Sequence, residues 1–311
     1  MYFIMSVLAV FAGVCFAVQG PINTALGKRT SVFQAAAVSF LGGAVISGII
    51  ALILRRGDLG QIKNAPFWQL IGGCYGAVNV AVTIAAIPVV GAALALTAIM
   101  FGQILAAAVI DGFGLLGSPK VNISSLRIAG IISVAAGILM IYFGSQEKKS
   151  GEKSTSAKKG RGKAIIIMFL AFLAGILGAM QSPTNAALAS VIGSWEGTFV
   201  SFIAGFVVLL PITLAANKGR LKPMTKVGIK WWMLTGGLCG VGGIFLNIFT
   251  VPSLGTALQV ACGMLGQLTA GILIDSLGLI QTQKVKINFL RVLGVLTIAC
   301  GVVLVTAGNL I

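Results

Sequence analysis

Four amide side chains are the first residues in this 311-residue chain whose type and spacing could do chemistry. Gln19 and Asn23 flank a proline in Gln19-Gly-Pro-Ile-Asn23, and Gln181 and Asn185 do the same in Gln181-Ser-Pro-Thr-Asn185, 162 residues on. On a helix, i and i+4 share a face. Each copy therefore presents two amides on one side. An amide both donates and accepts, so the chemistry on offer is hydrogen bonding to a polar solute or to a neighbouring helix. Pro21 and Pro183 cannot donate to the carbonyls of Ala17 and Ala179, which frees one acceptor beside each pair. In hydrocarbon these groups need protein or a watery cavity to satisfy them. A substrate path and interhelical adhesion, at about 0.6–2 kcal/mol per bond, both fit.

Other polar groups recur in the same way. Gln103 and Gln267 stand eight residues before Asp111 and Asp275, about 12 Å in at 1.5 Å per residue. They extend the candidate path; Asn79 and Asn247 lie in comparable segments but out of register. Asp111 and Asp275 each have an arginine sixteen residues on, Arg127 and Arg291. An ion pair closing a hairpin is the expected role; a protease dyad would need the two aspartates side by side. Glu196 follows Ser194-Trp195 at the expected start of a helix, where the dipole favours an anion. It is also the candidate coupling carboxylate for protons or cations. There is no histidine, and the five cysteines fall inside apolar segments, so neither imidazole chemistry nor a metal site is expected. No phosphate-binding loop appears, and no cofactor is expected.

The elements that position these groups are membrane spans. The chain is 58% hydrophobic and 9% charged, against about 25% charged in a soluble domain. Its uncharged runs are 1–27, 30–54, 64–110, 128–146, 164–195, 197–217, 231–274 and 292–311. A span needs roughly 20 apolar residues, so 64–110 and 231–274 must each hold two. Tight turns are expected at Pro88-Val-Val-Gly91 and Pro252-Ser-Leu-Gly255. The expected fold is all-α with ten spans, at 3–26, 32–54, 67–87, 92–111, 123–144, 164–189, 195–216, 231–251, 255–275 and 288–309. The first reads as a span and not as a cleaved leader, since no basic residue precedes it.

The halves are copies. At a shift of 162, Gly13 meets Gly175 and Ser39-Phe40 meets Ser201-Phe202. At a shift of 164, Trp68 meets Trp232, Gly72-Gly73 meets Gly236-Gly237, Gly102-Gln103 meets Gly266-Gln267, and Asp111 and Arg127 meet Asp275 and Arg291. Five spans per half invert the second copy in the membrane. The expected domains are a repeat at 1–144, a basic flexible linker at 145–163 and an inverted repeat at 164–311. The loops at 27–31, 145–163, 217–230 and 276–291 carry 17 Lys and Arg, and those at 55–66 and 112–127 carry 5. The first set, linker included, is expected in the cytoplasm and both termini outside. The net charge of +16 is spread over short loops, which suits lipid headgroups and not nucleic acid. The glycine pairs Gly72/Gly76 and Gly236/Gly240 read as helix-packing faces, and the four tryptophans as interfacial anchors.

Two five-span halves with Gln-x-Pro-x-Asn in each first span resemble the drug/metabolite transporter superfamily. The Gly-Gln pair ahead of Asp111-Gly-Phe-Gly and Asp275-Ser-Leu-Gly is similar to its YdcZ-like branch. The resemblance covers essentially the whole chain. It implies a ten-helix bundle in a bacterial-type plasma membrane, a central substrate path and alternating access. Relatives with ten spans are usually drawn with cytoplasmic termini, opposite to the charge count here. The smaller multidrug relatives carry a functional glutamate in their first span, where this chain has Gln19 and Gln181. The expected function is non-ATP export of a small polar metabolite or drug, and the protein is not expected to be an enzyme. A passive facilitator and a membrane sensor are the alternatives. The expected partners are the substrate and the bilayer; a monomer and a homodimer both fit.

Overall fold

The computed structural model describes residues 2–90, 92–122, 124–146, 161–219, 221, 228–281 and 287–310. Among these residues every regular element is helical. The first half holds α1 (Tyr2–Arg29), α2 (Val32–Leu54), the single turn α3 (Phe67–Leu70), α4 (Gly72–Val90), α5 (Ala92–Phe113) and α6 (Ser125–Gln146). The second holds α7 (Arg161–Ile192), α8 (Ser194–Ala216), α9 (Gly236–Leu254), α10 (Thr256–Leu277) and α11 (Phe289–Leu310). Nine of the described helices are long and apolar enough to cross a membrane. Large apolar side chains such as Phe3, Leu52, Phe169 and Val303 point outward from them. Such a surface is suited to lipid and costly in water.

Two expectations need correction. The turn expected at Pro252-Ser-Leu-Gly255 falls at its last residue and not at the proline, and residue 91, the end of the other expected turn, lies outside the described residues. Pro252 lies inside α9 and α4 runs on to Val90. In the second half the chain reverses at Gly255, whose φ of 75° and ψ of 169° place it where glycine is favoured. A proline removes one hydrogen bond of a helix but need not end it where neighbouring helices hold the backbone. The span expected at 67–87 is broken at Ile71, between α3 and α4. Most of the linker, 147–160, lies outside the described residues.

Packing partners come in matched sets. α2 packs along α8, and α6 along α11. α1 packs on α9 and α10, while α7 packs on α4 and α5; α2 meets α9 as α8 meets α4. Small residues permit these approaches. No Cβ fits between Gly73 and the Ser201 carbonyl, and Gly130 and Gly301 each face the other's carbonyl. Phe40 and Phe202, equivalent residues of α2 and α8, meet edge to face with centroids 5.5 Å apart and rings at 68°. Each ring fills the space above a glycine of the other helix, Phe202 at Gly43 and Phe40 at Gly205. Trp195, at the start of α8, stacks on Phe245, centroids 4.0 Å apart.

Candidate functional site

The amide pairs sit on the glycine pairs. Asn185 and Gln181 of α7 lie against Gly72 and Gly76 of α4. Asn23 and Gln19 of α1 lie against Gly236 and Gly240 of α9. Both partners use i, i+4 spacing, so the faces match turn for turn. A serine from a third helix completes each junction. Asn185 Nδ2 donates to Ser201 Oγ at 2.9 Å, and Gln19 Nε2 donates to Ser39 Oγ at 3.3 Å. The Oδ1 atoms of Asn23 and Asn185 are buried without a conventional donor. Each faces a glycine Cα, a contact that a weak C–H···O interaction stabilises. The glutamines are half-buried, whereas Asn185 is fully buried.

Further amides gather round α7. Asn79 Nδ2 donates to the Ala174 carbonyl at 2.8 Å, and Asn79 and Gln103 both border Gly178. On the other side, Asn247 Nδ2 donates to Ser182 Oγ at 3.3 Å, and Gln259 Nε2 donates to Asn247 Oδ1 at 2.7 Å. Gln267 is half-buried on α10. The six candidate amides fall into groups by their neighbours, with Gln267 on α10 packed along α1. Gln181, Asn185 and Gln103 are grouped around α7, Gln19 and Asn23 around α1. Among the described residues no hydrogen bond joins the two groups, and the Phe40–Phe202 contact joins α2 to α8.

Asp111 is fully buried at the end of α5 and makes an ion pair with Arg127, itself buried. Its Oδ1 accepts from the Ser118 hydroxyl at 2.7 Å and the Thr256 N–H at 2.6 Å; its Oδ2 also accepts from the Ala257 N–H at 2.8 Å. One carboxylate thus ties α5 and α6 to the first turn of α10. Asp275 stands at the other end of α10, nineteen residues from Thr256, or about 28 Å at 1.5 Å per residue. It is half-buried, with Arg291 buried at the start of α11. A dyad of the two aspartates is excluded by that separation. Glu196 is buried in the first turn of α8. Its Oε1 accepts from the Gly57 N–H at 3.1 Å, and its Oε2 is buried between Gly57 and Gly193.

A family described as "Putative inner membrane exporter, YdcZ" matches residues 4–140 and again 166–304. The chain belongs to this family. Membership of the YdcZ exporters makes it a multi-pass protein of the plasma membrane, of the transporter and not the enzyme class. Among 26 solved chains that match, one crystal structure superposes with a TM-score of 0.71 over 99% of this chain and 97% of its own, at 15% identity. At that identity the likeness speaks for the fold alone. No curated protein matches the sequence.

Several residues of this YdcZ exporter's polar network were not singled out from sequence. Ser39 and Ser201 were visible only as repeat markers, and Ser118, Thr256 and Gln259 carried no signal of their own. The glycine pairs were read as packing faces, and matching their spacing to that of the amides would have revealed them as seats.

Proposed function

We propose that this chain is a secondary, non-ATP exporter of a small polar organic solute, working by alternating access between two inverted five-helix repeats. The ten spans run with both termini outside. The observation that carries this reading is the doubled junction: a proline-bearing helix with two amides, seated on a glycine pair of the other half, twice. Paired half-buried polar groups at the interface of two repeats are where transporters of this build bind substrate. Gln19, Gln181, Gln103 and Gln267 are half-buried, as is Asn23, so they offer amides to the path; the fully buried Asn185 fixes its junction through Ser201, and Gln19 also bonds Ser39. No lysine or arginine lies mid-span, and the aspartates stand at helix ends, so a neutral or zwitterionic solute suits the path best.

The test is flux in proteoliposomes. A carrier gives saturable uptake and counterflow exchange, and a passive facilitator gives neither. Orientation has its own check. In a cysteine-free background, a cysteine at exposed Gln61 will react with an impermeant thiol reagent on intact cells, and one at exposed Lys28 will not. The reverse pattern would invert the topology.

Glu196 has the geometry of a clamp between the start of α8 and the chain after α2. Glu196→Gln keeps the acceptor for the Gly57 N–H, so transport and its pH profile will persist. Glu196→Ala leaves that N–H unpaired and will cost about 1–3 kcal/mol. Loss of pH dependence in Glu196→Gln with flux retained would instead assign it proton coupling.

A further inference from the structure

We infer that Ser182, Asn247 and Gln259 form a polar latch that holds one gate of the transporter shut, so that the molecule rests closed on the Asp111 side. The inference rests on the alternating-access reading. The latch is a chain of two bonds, Gln259 to Asn247 and Asn247 to Ser182, crossing from α10 through α9 to α7. It lies along the same path that Asp111 closes at its end, where that carboxylate holds the N–H groups of Thr256 and Ala257 and the hydroxyl of Ser118. Gly255 lets the chain turn there; a Cβ would sit 2.8 Å from Asp111 Oδ2.

The first half lacks the residues for an equivalent. Ser182, Asn247 and Gln259 correspond to Gly20, Thr83 and Ala95. None of these can rebuild a chain of amides. Burial follows the same asymmetry. Ser182 is buried and Gly20 exposed; Asn185 is buried and Asn23 half-buried; Asp111 is buried and Asp275 half-buried. α7 packs against α9, while among the described residues α1 makes no comparable packing against α4. An inverted repeat with identical halves would favour neither side. Among the described residues these two interhelical bonds occur in the second half alone, and they stabilise the closed state of that half. A difference in contacts between two states is what biases their equilibrium.

The experiment uses the full chain, its five cysteines replaced, in lipid nanodiscs, with spin labels read by pulsed dipolar spectroscopy. One label pair is Ser190 with Ser253, at the ends of α7 and α9. The other is its symmetry equivalent, Lys28 with Val89, at the ends of α1 and α4. The parent protein will show a short distance for the first pair and a long one for the second. Replacing the latch by its counterparts (S182G/N247T/Q259A) will raise the open-to-shut ratio at Ser190/Ser253 roughly three- to tenfold, what one or two such bonds in lipid are worth. The reciprocal variant G20S/T83N, which rebuilds the serine–asparagine bond and leaves the buried Ala95 alone, will shorten Lys28/Val89. Gly20 has open space where a Cβ would go, so this variant keeps the proposal testable if the first fails to fold. Asp111→Asn, which weakens the clasp itself, serves as the reference. Movement of both pairs in Asp111→Asn but in neither latch variant overturns the latch and leaves alternating access standing. Immobility of both pairs in all three variants overturns both.

Discussion

Asp111→Ala will cost the purified protein about 3–5 kcal/mol of stability, and Asp275→Ala will cost far less. Asp111 answers four donors: the Arg127 guanidinium, the Ser118 hydroxyl and two backbone N–H groups. Removing it takes the carboxylate away from a buried arginine and from the first turn of α10 together. Asp275 is half in contact with its surroundings, so solvent screens what its loss exposes. A swap of charges within the first pair will not rescue the fold. An arginine at 111 would point donors at the Thr256 and Ala257 N–H groups, which need an acceptor. Thermal denaturation in detergent, followed by intrinsic fluorescence, reads the effect. Equal losses in the two alanine variants would show Asp111 to be an ordinary helix-end charge.

Gly73→Leu will abolish the monodisperse folded protein, and Gly271→Leu will leave it intact. A Cβ at Gly73 has no room against the Ser201 carbonyl, whereas Gly271 has nothing within 4 Å. The clash is with backbone at the α4–α8 crossing, so no rotamer relieves it. The expected cost is about 3 kcal/mol or more, above the usual range for an overpacked core. In lipid, close backbone approach is itself a source of helix association, so separation also removes dispersion energy. Gel-filtration profiles of the two variants decide the point. A folded Gly73→Leu would mean that α4 and α8 do not depend on contact at this crossing.

Much of the fold was legible because its signals are local or periodic. Long uncharged runs gave the helices, and glycines, glutamines and aspartates in register gave the repeat. The register also carried the Asp111–Arg127 pair, since a sixteen-residue spacing fits one hairpin. Three-body contacts were not legible. That Asp111 reaches Thr256 depends on how α5 meets α10, 145 residues away in sequence. Ser39 and Ser201 matter because a third helix crosses there, which no spacing in α2 or α8 encodes. The turn at Gly255 was legible, but Pro252 three residues before it stays helical, because a proline's local preference for a turn is weaker than the packing around α9. The amide motif singled out α1 and α7, but it could not say that Asn185 would be sealed in a junction while Gln181 stayed half-buried.

The central claim is that the half-buried glutamines bind substrate and that the buried Asn185 holds helices together. The direct measurement is a thermal-stabilisation screen of the purified protein against neutral and zwitterionic polar metabolites, repeated on Gln19→Leu, Gln181→Leu and Asn185→Leu. A ligand at 100 times its dissociation constant stabilises by about 2.7 kcal/mol. Gln181→Leu will melt close to the parent protein and lose that stabilisation; Gln19→Leu will lose it too, melting somewhat lower because it also breaks the bond to Ser39. Asn185→Leu will itself melt lower, because it breaks the bond to Ser201 and overfills the seat at Gly72. Full ligand stabilisation retained in both glutamine variants, with their melting temperatures lowered instead, would contradict the account.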